Sequence, residues 1–223
     1  MRRIAIVLGV KSPRRAKHRL APILSEPDRE RLATTMARDV FQIVAGLWDY
    51  GRFVISDDPD VLEEGRRFGL DPLIDRVSQG QSAAVQQGFA AAWERGYTAA
   101  LTIPGDVPGV TVTELEELCT YRPEIEVLLA PDRDRLGTNG LRLIPPHAIT
   151  LRFGEDSFNL HRAEAVRAHR SFAVHVVAGL EHDLDRPEDI ASFMQLGRDT
   201  ATLRLLQEFT AAERLLASAP PLA

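Results

Sequence analysis

The chain has 223 residues, of which 44% are hydrophobic and 26% are charged, and its formal net charge is −5. This length fits one domain of ordinary to large size, and the hydrophobic fraction is ample for a buried core. The net negative charge argues against nucleic acid as a partner. No apolar run approaches the length of a membrane span and no signal-peptide pattern is present, so we expect a soluble, cytoplasmic protein without a membrane partner.

The single cysteine, Cys119, excludes an internal disulfide and fits a reducing compartment. It lies in an apparent helix (Glu114–Thr120), where we expect a packed side chain and not a nucleophile. The histidines show no spacing with cysteine that is typical of a zinc site.

The first predicted strand leads into a basic loop. Residues Arg3–Val10 form a continuous apolar run, which is typical of a strand buried on both faces. Cationic side chains directly after such a strand suit a triphosphate, and a solvated basic loop is the alternative. The loop is neither a P-loop nor a dinucleotide fingerprint, because Gly9 stands alone. Its cationic residues are Lys11, Arg14, Arg15, Lys17 and Arg19.

The following segments alternate between helix and strand, which predicts an α/β fold with a mostly parallel sheet covered on both faces. A helix begins after the N-cap residue Ser25 and continues to about Leu47, with apolar residues at helical spacing. The other predicted helices of this part are Asp60–Phe68, Ala83–Arg95 and Thr113–Tyr121. The predicted strands are Gly51–Ser56, Asp71–Ile74, Tyr97–Ile103 and Ile125–Ala130.

Two turns in this region are candidates for contact with a nucleotide. The acidic turn Asp57-Asp58-Pro59 follows the second strand, where Asp58 could meet a base or sugar or could cap the next helix. Gly80 precedes the third helix. Glycine allows close backbone approach there, and the N–H groups at the start of the helix could face a ligand.

The segment Pro104-Gly-Asp-Val-Pro108 presents a carboxylate at the carboxyl end of the fourth strand. Pro104 and Gly105 end the strand, and ligands of open α/β sheets bind at this edge. We therefore predict that Asp106 holds a hard cation such as Mg²⁺ over a polyphosphate. The alternative is that Asp106 caps the helix that begins near Thr113.

Two polar loops mark the second half of the chain. In the first, between Ala130 and the strand Leu141–Ile144, small donors at Thr138-Asn139 lie between glycines and suit a phosphate or carboxylate approached by the backbone. In the second, Gly154 and Ser157 precede the helix Phe158–Ala168, so Ser157 is an N-cap, an anion donor or both. His161 and His169 on or near that helix are expected to be packed or surface residues and not ligands.

The late strand Phe172–Val177 leads to a second acidic segment. Asp183 and Asp185 are two residues apart, so an extended chain would turn both toward one side, and Asp183 is a candidate second metal ligand. The alternative is that this segment caps the helix Pro187–Leu196 through Asp185, and both can hold, with Asp185 as the cap and Asp183 facing the site. We divide the chain into a domain over 1–197 and a C-terminal part over 198–223, whose amphipathic helix packs on the domain or on another subunit.

Seven segments in order together resemble the 2-phospholactate/phosphoenolpyruvate guanylyltransferases of deazaflavin coenzyme F-420 biosynthesis. Each segment is weakly diagnostic, and their succession over most of residues 4–190 is specific. The matching segments are Val10-Lys11 with Ala16–Leu20, Ser56–Pro59, Pro104–Pro108, Ala130–Arg133, Gly137–Asn139, Phe153-Gly154 with Ser157-Phe158, and Asp183–Asp189.

The resemblance implies a single-domain nucleotidyltransferase fold of the GT-A (MobA-like) kind. It implies that GTP and a phosphorylated three-carbon acid give a guanylylated acid and pyrophosphate, with Mg²⁺ as cofactor. In that family the two polar loops hold the phospho-acid, which carries over to Thr138, Gly154 and Ser157. Lys11 and Asp106 carry over as catalytic residues, and the metal ligands are Asp106 and Asp183. The residues assigned to the nucleotide are Lys11, Lys17, Arg19, Asp58 and Gly80.

The sequence departs from the family pattern at Gly9, at His18 and at Gln81-Ser82, where leucine and asparagine are expected. The last departure touches base recognition, so guanine is implied by the resemblance alone. Phosphoenolpyruvate, 2-phospholactate and 3-phosphoglycerate all occur as acceptors in the family. The alternatives are a related nucleotidyltransferase acting on a sugar phosphate or molybdopterin, or a non-catalytic nucleotide-binding homologue. A transient complex with the downstream transferase and a homodimer are further expectations.

Overall fold

A computed structural model describes residues 3–76 and 79–218, of which 211–218 are described for the backbone alone. The strands are β1 (Ile4–Gly9), β2 (Gly51–Ser56), β3 (Asp71–Ile74), β4 (Ala99–Pro104), β5 (Val127–Pro131), β6 (Thr138–Leu143) and β7 (Phe172–Val174). They form one sheet in the order β3-β2-β1-β4-β6-β5-β7. Strands β1 to β4 pair in parallel, β6 runs antiparallel to both neighbours, and β7 is parallel to β5. The mostly parallel sheet is thus confirmed.

The helices cover both faces of the sheet, as predicted. They are α1 (Glu26–Ala45), α2 (Pro59–Arg67), α3 (Gln81–Glu94), α4 (Val112–Thr120), α5 (Ser157–Arg167), α6 (Pro187–Leu196) and α7 (Ala201–Ser218). Helices α1, α2 and α4 pack on one face, where Phe41 and Leu115 join the core cluster of Ile6 and Leu101. Helices α3 and α5 pack on the other, where Phe89 and Phe158 join a second cluster. Within the described ranges no helix is long and apolar enough to cross a membrane.

The C-terminal helix α7 begins against α1. Asp39 of α1 accepts hydrogen bonds from the backbone N–H and the hydroxyl of Thr202, at 2.8 and 2.7 Å. Leu205 and Leu206 join Met36 of α1 and Phe193 of α6 in a third apolar cluster. The sequence left open whether this helix packs on the domain or on another subunit. The structure shows that it packs on the domain.

The hairpin of β5 and β6 differs from the predicted boundaries. Strand β6 begins at Thr138, three residues before the predicted start, because Gly140 and Thr138 pair with Ala130 and Pro131 across a bulge. The polar stretch that we expected to be a loop up to Leu141 therefore closes as a short turn, and Thr138 and Asn139 are held by the sheet. Strand β7 ends at Val174, three residues before its predicted end.

Candidate functional site

A cavity of about 1040 Å³ opens where β1 and β4 end and is lined by the loops around them. Nearly all of the predicted site residues meet there, although they come from segments far apart in the chain. Those that line it are Lys11, Lys17, Arg19, Gly80, Asp106, Thr138, Gly154, Ser157 and Asp183.

The centre of this cavity is an ion pair between Lys17 and Asp106. The Lys17 Nζ atom lies 2.5 Å from Asp106 Oδ2 and 3.6 Å from Asp185 Oδ1, and its side chain is 5% exposed. Arg19 holds the other oxygen of Asp185 at 2.8 Å. From the sequence we assigned Lys17 to the nucleotide and did not predict this contact with Asp106. The two residues lie far apart in the chain, and no local pattern indicates that they meet.

Burial lowers the pKa of Lys17, but the carboxylates of Asp106 and Asp185 raise it by more, so the pKa lies above its usual value. The ammonium group therefore stays charged among these carboxylates. The chain has two lysines, Lys11 and Lys17, and both lie in this first loop. Lys11 lines the same cavity with an exposed side chain.

Asp183 lies beside this ion pair and carries unfavourable negative charge. Burial, together with the charge of Asp106, raises the pKa of Asp183 to about 6. Asn139 orients the carboxylate, since its Nδ2 atom donates to Asp183 Oδ1 at 3.0 Å and to the Leu180 carbonyl at 2.7 Å. The backbone N–H of Leu184 donates to the Asp106 carbonyl at 3.2 Å, which joins the two acidic segments.

Two of the capping alternatives for these carboxylates are wrong. Helix α4 is capped by Thr111, which forms a capping box with Glu114, so Asp106 does not cap it. Helix α6 has Arg186 as its N-cap, and Asp189 accepts the backbone N–H groups of Asp185 and Arg186. The Asp185 carboxylate instead contacts Lys17 and Arg19.

The acidic turn after β2 caps the next helix, which is one of the two roles that the sequence left open. Asp58 is the N-cap of α2, where it accepts the Asp60 N–H at 2.9 Å. Although burial opposes it, hydrogen bonds from Ser12 and from this backbone lower the pKa of Asp58. Its neighbour Asp57 lines the cavity and pairs with Arg15 at 2.6 Å. A contact between Asp58 and the nucleotide stays a prediction.

The two polar loops of the second half meet through Thr138 and Ser157, which are both buried. The Thr138 backbone N–H donates to Ser157 Oγ at 3.0 Å, so this N–H is not available to a ligand as we expected. The N-cap of α5 is Asp156, and Ser157 is the first helical residue, so the predicted capping role of Ser157 is wrong. Both residues line the cavity, and their hydroxyl oxygens are hydrogen-bonded to the Thr138 N–H and to the His161 ring.

Gly154 sets the shape of the second loop. Its φ is +128°, which is accessible to glycine and strained for other residues, and a Cβ at this position would contact nothing within 4 Å. Ser82 at the start of α3 anchors the same loop, since its hydroxyl accepts the Phe153 N–H at 2.8 Å. The departure from the family pattern at Ser82 thus falls on a residue that supports the second polar loop.

Gly80 is the N-cap of α3, with φ +92°. Because glycine has no side chain to cap the helix, the first N–H groups of α3 keep their donor capacity at the cavity. Gln81 lines the cavity beside it. Among the described residues nothing lies within 4 Å of a Cβ built on Gly80, and the approach of a ligand to this backbone stays a prediction.

Other titratable residues are packed as expected. Cys119 is buried, which raises its pKa to about 12, and it is no nucleophile. Among the described residues no group of three or more histidine, cysteine, aspartate and glutamate side chains is arranged to hold a metal ion. His161 is fully buried beside Thr138.

A model of the family described as guanylyl transferase CofC like matches residues 4–214. The chain is 36% identical over 186 residues to a phosphoenolpyruvate guanylyltransferase of Rubrobacter xylanophilus, covering 83% of this chain and 90% of that protein. It is 30% identical over 191 residues to a 2-phospho-L-lactate guanylyltransferase of Methanocaldococcus infernus, covering 86% and 84%. A 3-phospho-D-glycerate guanylyltransferase of Colwellia psychrerythraea is 30% identical over 190 residues, covering 84% and 90%. These matches confirm the resemblance.

Solved structures share the fold at low sequence identity. A protein of Desulfovibrio desulfuricans assigned to the nucleotide-diphospho-sugar transferases superimposes with a TM-score of 0.75 at 17% identity, covering 96% of this chain and 98% of that one. A nucleotidyl transferase of Methanothermobacter thermautotrophicus gives 0.63 at 14% identity, covering 86% and 96%. The predicted nucleotidyltransferase fold is thus confirmed, and so is the class of enzyme, since the family's members are guanylyltransferases.

Proposed function

The chain belongs to the CofC-like family of guanylyl transferases, and on that basis we propose that it transfers GMP from GTP to a phosphorylated three-carbon acid with release of pyrophosphate. Phosphoenolpyruvate is the first acceptor to test, because the relative from Rubrobacter xylanophilus bears that name. Relatives named for 2-phospho-L-lactate and 3-phospho-D-glycerate keep those acids in the comparison.

One observation carries this proposal: donors suited to a small acid and charges suited to a triphosphate line the same cavity. Thr138 and Ser157 carry hydroxyl groups and line this cavity together with Lys17, which lies among carboxylates. A transferase must bring two anions into contact, and catalysis then depends on neutralising charge and on positioning. This arrangement supports transfer between two bound substrates more directly than it supports nucleotide binding alone.

The donor set at the centre of the cavity fits a magnesium ion. Asp106 and Asp183 supply carboxylate oxygens, and the raised pKa of Asp183 reflects negative charge that a cation would relieve. Magnesium is commonly bound through one or two carboxylates together with substrate phosphates. Bound there, it would neutralise phosphate charge and act as a Lewis acid on the reacting phosphoryl group.

The transfer requires no general base, because the phosphate of the acid is already a nucleophile near neutral pH. An oxygen of that phosphate attacks the α-phosphorus of GTP, the bond from this phosphorus to the bridging oxygen breaks, and pyrophosphate leaves. Lys17 offsets negative charge within the cavity, and Lys11 and Arg19 contribute charge at its rim. Thr138 and Ser157 hold the acid in line by donating from their hydroxyl groups.

Pyrophosphate release tests the proposal. The full chain is supplied with Mg²⁺, GTP and one of the three acids, with ATP and CTP as nucleotide controls. We expect release with GTP and one acid and none without an acid. Release with CTP or ATP in preference to GTP, or no release with any of the three acids, would contradict it.

Removing one hydroxyl of the acid side should weaken binding of the acid selectively. For Thr138→Val and Ser157→Ala we expect the KM for the acid to rise about tenfold or more, because hydrogen bonds to charged groups contribute about 1.5–3 kcal/mol. The KM for GTP should stay close to that of the wild type. Thr120→Val, on the exposed side of α4, is the matched control. An equal rise in both KM values would argue against a subsite for the acid.

The raised pKa of Asp183 predicts how Mg²⁺ binding depends on pH. In the folded protein this carboxyl keeps its proton up to about pH 6, whereas the unfolded chain releases it near pH 4. Ionisation of Asp183 therefore costs stability as the pH rises through that window, and a bound cation would recover it. We expect the Mg²⁺-induced rise in Tm to be larger above pH 6 than below it. In Asp183→Asn this dependence should disappear, and a pH-dependent rise that persists in this variant would contradict the assignment.

We also propose a place for the product. The product joins GMP to the phosphate of the acid through a reactive phosphoanhydride bond. A downstream transferase would therefore consume it soon after release. In the family that the sequence resembles, this is the transferase of deazaflavin coenzyme F-420 biosynthesis. GTP and a phosphorylated three-carbon acid are cytoplasmic metabolites, which supports a cytoplasmic location. Co-elution of the two enzymes during turnover, compared with their elution without GTP, tests for a transient complex.

A further inference from the structure

A buried imidazole lies directly behind the acid side of the cavity. His161 is on α5, four residues after Ser157, so both side chains lie on the same face of the helix. The residue has no exposed surface, and its ring and that of Phe153 lie edge to face with centroids 4.8 Å apart. A polar ring this deeply buried needs a hydrogen-bond partner for each of its nitrogens.

Each ring nitrogen of His161 has one partner. The Nε2 atom lies 2.9 Å from the backbone N of Arg152, and an N–H group can only donate, so Nε2 accepts. The Nδ1 atom lies 3.0 Å from Thr138 Oγ1, and a hydroxyl can either donate or accept. An imidazole ring carries at least one proton, and since Nε2 has none, the second hydrogen bond is donated by Nδ1–H to Thr138 Oγ1.

The ring is neutral near neutral pH. Burial lowers the pKa of His161 to about 4, although the nearby carboxylate of Glu164 opposes this. A neutral imidazole carries one proton, and since Nε2 accepts, the proton is on Nδ1. The Nδ1–H group then donates to Thr138 Oγ1.

We propose that His161 is a positioning residue that fixes Thr138 as a donor to the acid, and so makes this subsite selective for an oxyanion. Because Thr138 Oγ1 accepts from the ring, its own proton is available to the cavity. The hydroxyl group of Ser157 is also left with its proton free to donate, since its Oγ accepts a hydrogen bond from the Thr138 N–H. Two hydroxyl donors then face a carboxylate or phosphate of the substrate, which accepts hydrogen bonds and has none to donate.

This inference rests on the proposed acid substrate for its kinetic consequence, whereas the state of the ring can be measured without turnover. NMR of the full chain with ¹⁵N-labelled histidine distinguishes the two neutral tautomers and the cation. The signal of His161 is assigned by its loss in His161→Gln, and exposed His147 serves for comparison. We expect the Nδ1–H tautomer at neutral pH. An Nε2–H tautomer or a cationic ring would overturn the proposal whether or not the enzyme turns over.

Two variants separate the positioning role from a packing role. In His161→Asn the side-chain amide reaches the position of Nδ1 and can still donate to Thr138. In His161→Gln the amide reaches the position of Nε2, where it accepts from Arg152 and leaves Thr138 without its donor. We expect the KM for the acid to rise about tenfold in the Gln variant and about threefold or less in the Asn variant, with the KM for GTP unchanged in both.

Equal increases in the two variants would mean that the ring only fills space, which overturns the proposal. If the wild type releases no pyrophosphate with any of the three acids, the proposed function fails, and the NMR measurement still decides the tautomer. His147→Gln, at an exposed position, controls for the loss of a histidine as such.

Discussion

Replacement of Asp106 by asparagine should lower kcat about a thousandfold or more while leaving the fold intact. The change removes one negative charge from the centre of the cavity, where Asp106 lies 2.5 Å from Lys17 and is a proposed metal ligand. Removing one preorganised electrostatic contact of an active site typically costs a factor of about 100 to 1000, and a lost metal ligand adds to this. Pyrophosphate release at saturating GTP and acid measures the effect.

The fold should survive this replacement because asparagine keeps the shape of the side chain and an oxygen that accepts from Lys17. Circular dichroism and the Tm without added metal test this directly. Asp49→Asn, on the exposed surface, is the matched control and should leave kcat unchanged. Turnover of Asp106→Asn close to that of the wild type would contradict the metal assignment.

Replacement of Lys17 by methionine should lower kcat about a hundredfold or more and should strengthen the stabilising effect of Mg²⁺. Methionine keeps the volume of the buried stem but removes the charge that Asp106 and Asp185 surround. The metal-free variant should have a lower Tm, because these carboxylates then repel one another with no internal cation. The rise in Tm on adding Mg²⁺ should exceed that of the wild type.

Lys11→Met is the informative comparison, since it changes the other lysine of the same loop. Its side chain is exposed, so we expect a higher KM for GTP and little change in the Tm without metal. A large loss of Tm in Lys11→Met, or a Mg²⁺-induced rise in Tm that does not grow in Lys17→Met, would contradict the proposed division of roles.

The sequence predicted the elements that depend on local pattern. Continuous apolar runs gave the buried strands, and the residues Ser25 and Pro27 gave the start of α1, because strand burial and helix capping are encoded within a few residues. The carboxylate after β4 could be predicted as well, since the Pro-Gly bracket around Asp106 ends the strand locally.

The sequence could not predict contacts that the fold creates between distant segments. Lys17 is 89 residues from Asp106, and its buried position follows from the packing of the first loop against the end of β4. Asp185 looked like a helix cap because Pro187 follows it, and Asp189 has the capping contacts instead. The start of β6 was placed late, because pairing with β5 brings polar residues such as Thr138 into the sheet.

The same reason explains why His161 could be predicted only as a packed or surface residue. Its partners, Thr138 and the Arg152 backbone, come from two loops that meet only in the folded chain. The residues that the resemblance assigned to the acid do meet in one cavity. Their hydrogen-bond directions became clear only from their mutual contacts.

Transfer of GMP to the phosphate of the acid is the central claim, and an isotope experiment tests it most directly. The full chain is incubated with Mg²⁺, GTP and phosphoenolpyruvate that carries ¹⁸O in the non-bridging phosphate oxygens, in parallel with the two other acids labelled in the same way, and the products are read by mass spectrometry. The account predicts that pyrophosphate is unlabelled and that the label lies in the diphosphate group of the guanylylated acid, so that fragmentation of this product yields labelled GDP. Transfer to the carboxylate would leave every guanosine-containing fragment unlabelled and would contradict the account. Labelled pyrophosphate, or GMP formed without any labelled guanylylated acid, would contradict it.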